Sequence, residues 1–293
     1  MRTMLLICII QSLMLFSGRG AFGAEPDESA RTALSADRIK PPYQTPNELF
    51  NLYQPYLKNI AAYEPMYFLV GADPGESKFQ ISMKYRFLNP GKTLERRHPL
   101  LEGLYFGYTQ TSYWDLSSDS HPFDDTSYKP EIFFISPHIF KGLGFSHVFF
   151  QTGLRHESNG QGGEKSRSTN FLYFQPMLVF FHESSGIGVG IVPKIWTYVN
   201  NDDETNPDLY AYRGYFDLGV KVGKPDGLVL ETHYRQAKEG LSIRFDLNYP
   251  LDRLINTRLQ VYLHAQYVNA LAESLLDYQD RSNAFRLGFS IVR

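Results

Sequence analysis

The stretch Lys78-Phe79-Gln80-Ile81-Ser82-Met83-Lys84-Tyr85-Arg86-Phe87 alternates without a break: Phe79, Ile81, Met83, Tyr85 and Phe87 are apolar or aromatic, and every residue between them is polar or charged. Successive side chains of a strand point to opposite faces, so this segment has one greasy face and one charged face. The period recurs where Leu241, Ile243, Phe245, Leu247 and Tyr249 alternate with Ser242, Arg244, Asp246 and Asn248. It recurs again where Phe285, Leu287, Phe289 and Ile291 flank Arg286, Gly288 and Ser290. Strands of this length cross a bilayer when tilted.

Extending the period along the chain gives twelve segments, at 64–72, 77–88, 103–116, 129–140, 146–158, 169–181, 187–199, 210–222, 227–236, 240–249, 257–268 and 283–293. The expected fold is all-β, a twelve-stranded antiparallel transmembrane β-barrel over residues 63–293, whose even strand count puts both termini on one side. The mean hydropathy of −0.31 on its own suggests a soluble protein such as a β-sandwich. A barrel evades that measure because only alternate residues meet lipid. The turns at 141–145, 182–186 and 223–226 are short, and the connections at 117–128, 159–168, 200–209 and 269–282 are longer, the asymmetry expected of periplasmic and outer ends.

Arg2, the apolar run Leu5 to Phe16 and the small residues of Ala21-Phe22-Gly23-Ala24 read as an export signal over residues 1–23. Residues 24–62 then form a periplasmic lead-in, and the destination is the bacterial outer membrane. The only cysteine, Cys8, lies in the signal, so the mature chain has neither a disulfide nor a cysteine nucleophile. With 29 Lys plus Arg against 31 Asp plus Glu and a net charge of −2, no nucleic-acid partner is expected.

The chemically loaded stretch is Arg155-His156-Glu157-Ser158-Asn159-Gly160, followed by Ser166-Arg167-Ser168-Thr169-Asn170. His156 and Ser158 share parity with Val148, Phe150, Thr152 and Leu154, which must face outward, so both project from the outer wall near the strand's end. A polar group there costs about 0–1 kcal/mol, against roughly 2–4 for a charge at the midplane. Asn170 has the parity of Leu172 and Phe174 on the next strand, where it can orient the His156 imidazole without a buried charge. Gly160 can offer a backbone N–H to an oxyanion. Gln110 shares parity with Leu104, Phe106 and Tyr108, and a primary amide on that face wants a partner, which a second barrel can supply. By itself, such a polar strand end is more often a solvated terminus than a catalytic site.

Together the residues resemble outer membrane phospholipase A of Gram-negative bacteria. The likeness runs from Gly107-Tyr108-Thr109-Gln110 and Ser112-Tyr113-Trp114 through Tyr128-Lys129-Pro130-Glu131, His156 to Gly160, Ser166 to Asn170 and Asn206-Pro207-Asp208, to Glu273-Ser274-Leu275-Leu276-Asp277-Tyr278. The resemblance implies a twelve-stranded barrel that hydrolyses sn-1 and sn-2 acyl esters of phospholipids and lysophospholipids. Ser158 would be its nucleophile, His156 its base, Asn170 the orienting residue and Gly160 the oxyanion donor. It also implies a calcium ion at the interface of an active homodimer, held by Ser120 of one chain and by Gln161 and Ser166 of the other. The loop Asn201-Asp202-Asp203-Glu204 is a further source of ligands, with Asp203 and Glu204 the expected ones. Gly163 departs from the family by standing where an acid is common. The competing expectation is a non-enzymatic barrel, a pore or an adhesin. Bulky inward Lys84, Arg86, Arg244, Arg286 and Tyr262 argue against an open channel.

Overall fold

A computed structural model describes residues 46–48, 54, 56–88, 99–137, 139–142, 145–255 and 257–293. The chain divides into Met1–Pro55 and Tyr56–Arg293, and the account below concerns the second unit. The expected signal (1–23) and most of the lead-in (24–62) lie outside the described residues.

Twelve long strands close on themselves: β1 Met66–Gly71, β2 Ser77–Arg86, β3 Leu104–Trp114, β4 Phe123–Ile135, β5 Phe145–Ser158, β6 Ser168–His182, β7 Ile187–Asn201, β8 Phe216–Gly223, β9 Val229–Gln236, β10 Leu241–Pro250, β11 Tyr262–Leu271 and β12 Arg281–Val292. Each pairs antiparallel with its chain neighbours, and β12 returns to β1, with Phe289 opposite Phe68 and Leu287 opposite Val70. Two short strands join the sheet: Ile60–Ala62 lies against Tyr85–Met83 of β2, and Phe140–Gly142 lies against β5. Closure leaves no sheet edge whose backbone groups would go unpaired in lipid.

The alternation read from the sequence becomes an inverted protein. Ile81, Met83, Phe245, Leu247, Phe285, Leu287 and Phe289 are exposed on the outer wall, whereas Lys78, Ser82, Ser242, Asp246, Asn248, Arg286 and Ser290 are buried inside. That distribution suits hydrocarbon outside and a polar lumen.

The lumen is filled. Glu273 receives Lys78 Nζ at 2.8 Å and Arg286 Nη1 at 2.8 Å, and Asp246 accepts from His264 Nε2 at 2.9 Å, Gln266 Nε2 at 2.6 Å and Arg244 Nε at 2.7 Å. Elsewhere Arg155 bridges Glu131 and Glu64, and the Tyr63 and Tyr105 rings stack on either side of Phe133 with centroids 4.7 and 5.4 Å away. Buried charges persist only when paired in this way. At the long-loop end, Leu209, Ala272, Leu275 and Tyr278 pack into a small apolar cap. A channel through this interior would have to break those pairs.

The structure amends several expected boundaries. β4 starts at Phe123, six residues before the expected 129, so the connection before it shrinks to 115–122; the segment expected to end at 140 stops at Ile135. The expected strand 210–222 is split: Leu209–Arg213 forms a helical turn ended by Gly214, whose φ of 71° favours glycine, and β8 begins only at Phe216. The expected strand 257–268 runs instead from Tyr262 to Leu271. The end opposite the site also carries long connections, at 87–103 and 251–261, so the short-turn asymmetry is only partial.

Candidate active site

β5 pairs on one side with β4, where Ser158 faces Tyr128, and on the other with β6, where His156 faces Asn170 and Ser158 faces Ser168. Leu154 on the same parity is 50% exposed, and Leu172 and Phe174 continue the row below Asn170 on the outer wall. Arg155 and Glu157, of opposite parity, are buried in the lumen. His156, Ser158 and Asn170 therefore share one patch of the outer wall, each half-buried.

Directly opposed side chains on a ladder lie within reach of each other, and His156 Nδ1 meets Asn170 Oδ1 at 2.9 Å. The Asn170 Nδ2 atom donates to the Asn200 carbonyl at 3.2 Å, which sets the amide with its oxygen toward the ring. Nε2 of the imidazole is the nitrogen left for Ser158. The Ser158 hydroxyl makes no side-chain hydrogen bond among the described residues.

β5 ends because Gly160 turns the chain with φ 69°. A Cβ at Gly160 would fall 2.9 Å from Cε2 of Tyr128, so glycine is required by conformation and by space. Its N–H donates to no acceptor among the described residues. An unpaired amide two residues from the hydroxyl is what an oxyanion donor must be.

The proposed cation ligands are distributed as follows. The Gln161 amide is bound by Asn159 Oδ1 at 3.3 Å, and its carbonyl accepts nothing among the described residues. Ser166 uses its carbonyl on Arg167 Nη1 at 2.8 Å, which leaves its hydroxyl. Ser120 is exposed at the tip of the 115–122 loop with φ 67°. That loop is braced by Asp115, whose carboxylate accepts from Ser117 Oγ at 2.6 Å and from the Ser117 amide at 2.8 Å. The Ser117 and Ser118 hydroxyls hold the Asp115 carboxyl well below the usual carboxylate range. Among the described residues no hydrogen bond joins Ser120 to the 159–167 loop. Asp203 and Glu204 are exposed, while Asp202 holds its own loop through Thr205 Oγ1 at 2.6 Å. No group of three or more His, Cys, Asp or Glu forms a metal cluster among the described residues. Neutral oxygens from Ser120, Gln161 and Ser166 nevertheless fit a hard cation such as calcium, which accepts carbonyls, hydroxyls and water.

Gln110 is less needy than its sequence position suggested. Its Oε1 accepts from Tyr108 at 3.1 Å and its Nε2 donates to Ser112 at 3.2 Å, with Thr126 continuing the chain at 3.0 Å. The amide retains one donor and one acceptor position for another molecule.

Sequence reasoning missed three supports. Tyr128 went unnoticed because β4 was expected to start after it, although the outward series Thr126, Tyr128, Pro130, Ile132 was there to be read. Asn206, fully buried, pairs with both backbone groups of Ser168, at 3.1 Å each, where the β7 ladder has run out. Arg213 reaches through the lumen to Glu157 at 2.7 and 3.3 Å. Neither of these last two contacts has a local signal.

Comparison with known proteins agrees with this architecture. A sequence model of the Phospholipase A1 family matches residues 48–291. The chain is 31% identical over 248 residues to phospholipase A1 of Escherichia coli (strain K12), covering 80% of this chain and 73% of that protein. Outer membrane phospholipase A from Escherichia coli superposes with a TM-score of 0.65 at 26% identity, over 80% of this chain and 98% of the other. The Salmonella typhi outer membrane phospholipase, solved as a dimer with bound calcium, has the same fold, with a TM-score of 0.64 at 24% identity over 80% of this chain and 92% of the other. With residues 48–291 matched, the chain belongs to the Phospholipase A1 family and is a phospholipase built on an outer membrane phospholipase A barrel.

Proposed function

We propose that this chain is an outer membrane enzyme, exported by a signal peptide over residues 1–23, that hydrolyses the sn-1 and sn-2 acyl esters of phospholipids and lysophospholipids through Ser158, His156 and Asn170. It works as a calcium-dependent homodimer. The observation that carries the reading is the His156–Asn170 pair on the outer wall, at 2.9 Å, beside a free Gly160 amide.

In this mechanism Asn170 Oδ1 accepts the Nδ1–H of His156, which leaves Nε2 unprotonated and available to Ser158. As substrate docks, the Ser158–His156 hydrogen bond closes, as catalytic hydrogen bonds commonly do on binding. Nε2 takes the Ser158 proton while Oγ bonds to the acyl carbonyl carbon, and the oxyanion settles on the Gly160 amide. The imidazolium then returns that proton to the departing glycerol oxygen, which releases the deacylated lipid and leaves an acyl ester on Ser158. A water molecule, deprotonated by His156, attacks the ester. The fatty acid leaves, and Ser158 recovers its proton.

Gln161 and Ser166 of one chain with Ser120 of its partner would hold calcium, whose positive charge would help stabilise the oxyanion. Asp203 and Glu204 stand free to add carboxylate oxygens. A homodimer would combine Ser120 of one chain with Gln161 and Ser166 of the other, residues that lie on two different loops. The outer membrane setting matches the exposed apolar belt.

The test is fatty acid release from micellar phospholipid by purified Ser158→Ala and Asn170→Ala. Loss of turnover in the first and a large fall in the second are expected. Wild-type release by Ser158→Ala removes the serine from the mechanism.

A further inference from the structure

We infer that Asn159 is a positioning residue of the oxyanion loop, whose buried side chain ties residues 159–167 into the shape that keeps the Gly160 amide free next to Ser158. The inference rests on the serine-hydrolase reading above.

The observations concern one side chain in the middle of an irregular loop. Asn159 is 4% exposed and continues the inward row of Arg155 and Glu157. Its Oδ1 accepts the Gln161 amide at 3.3 Å and the Arg167 amide at 3.0 Å. Its Nδ2 donates to the Lys165 carbonyl at 2.8 Å. Its own N–H donates to the Arg167 carbonyl at 3.1 Å. Both ends of the loop therefore converge on a single amide.

A short amide side chain presents a neutral donor and a neutral acceptor on two separate atoms, one for each end of the loop. An aspartate there keeps the acceptor but sets a carboxylate against the Lys165 carbonyl and near the buried Asp125 carboxylate, with which the Asn159 side chain interacts. A hydroxyl is too short to serve both ends. The loop has little regular structure beyond the turn Gly163–Lys165, so few other partners exist for its backbone groups. Tyr128 constrains the same turn from the outer wall by occupying the place of a Gly160 Cβ. Between these two restraints Gly160 holds its left-handed conformation, and its N–H, unlike that of Gln161, is left without an acceptor. Among the described residues the Asn159 side chain makes no hydrogen bond to Ser158 or His156. It acts through the loop.

The experiment compares Asn159→Asp and Asn159→Ala with the wild type in detergent, measuring kcat and KM on a micellar ester and checking the folded band by heat-modifiable electrophoresis. Asn159→Ala loses all three side-chain bonds, and its kcat is expected to fall about 100- to 1000-fold, the loss typical of a missing oxyanion donor, with KM within twofold. Asn159→Asp retains two of the three, and its kcat is expected to fall roughly 3- to 30-fold at unchanged KM, between the other two. A merely structural residue would lower the amount of folded barrel and leave kcat per folded molecule alone. The proposal is overturned if folded Asn159→Asp turns over at the wild-type rate, if it is as slow as Asn159→Ala, or if either loss appears in KM. Asn159→Asp decides the matter by itself should Asn159→Ala not fold. Ser158→Ala is assayed alongside: if it is inactive while the Asn159 variants match wild type, only the positioning role fails, and if it is fully active, the serine mechanism fails.

Discussion

Replacing Arg213 by Met tests how firmly the catalytic strand is held from inside. Arg213 ends the helical turn Leu209–Arg213 and reaches Glu157, the residue between His156 and Ser158, with Nη1 to Oε2 at 2.7 Å and Nη2 to Oε1 at 3.3 Å. The side chains are only 9% and 6% exposed. Removing Arg213 leaves the buried Glu157 carboxylate without a hydrogen-bonded cation, only the fields of Lys129 and Arg155 remaining, and losing one partner of a buried pair costs about 3–5 kcal/mol. At about 1.4 kcal/mol per decade, the folded-to-unfolded ratio falls roughly 100- to 3000-fold. The assay is reversible urea unfolding in detergent, with fatty acid release measured below the transition. A cost below about 1 kcal/mol, the range of exposed pairs, would refute the reasoning. The double variant Glu157→Gln with Arg213→Met removes both charges and should be more stable than Arg213→Met alone. Simple additivity of the two would mean that the groups are not coupled in the barrel.

Other outcomes follow from the same geometry. Gly160→Ala needs φ near 69° and a Cβ 2.9 Å from the Tyr128 ring, which displaces the amide, so kcat should fall by about 100-fold or more, and Gly160→Ala combined with Tyr128→Ala should recover only the steric part; full activity of Gly160→Ala would show that neither the left-handed conformation nor the Tyr128 contact governs the site. Gln110→Ala should lower cross-linked dimer yield several-fold with no loss of folded monomer, and an unchanged yield would place the interface elsewhere. The Thr205 hydroxyl, helped by the backbone amides of Glu204 and Thr205, holds the Asp202 carboxyl below its ordinary value. A depressed folded pKa stabilises the loop above the unfolded value of about 3.9, and that contribution fades as pH falls through the lower folded value. Carboxyl NMR should therefore show Asp202 titrating below about 3.9, with Thr205→Val moving it upward.

Much of the fold was readable because lipid and lumen impose opposite demands on alternate residues. β2, β10 and β12 were recognisable from their alternation alone. The start of β4 was not, because Thr126 faces outward while Asp125 and Ser127 face inward, and three polar residues in a row erase the contrast on which the period depends. The turn at Leu209–Arg213 misled for the reverse reason: Leu-Tyr-Ala-Tyr-Arg has strand-like aromatics, but its apolar residues cap the barrel mouth with Leu275 and Tyr278. Tertiary packing there outweighs local preference. At the site, parity was enough to put His156, Ser158 and Asn170 on one wall, since the register makes His156 and Asn170 opposite neighbours. Contacts such as Glu157 with Arg213, or Asn206 with Ser168, join residues 56 and 38 apart in the chain. Nothing in the sequence around them marks the match.

The filled lumen has a consequence for how this enzyme can vary. Along β5, odd-numbered positions such as Arg155 and Glu157 answer to a dense interior lattice, and even-numbered ones answer to the outer wall, Leu154 to the oily surroundings and His156 to its partner Asn170. A saturation scan of residues 146–158 should therefore separate into two interleaved spectra, one governed by stability and the other by turnover. New chemistry can be written on the even positions of this wall without disturbing the lattice that keeps it upright.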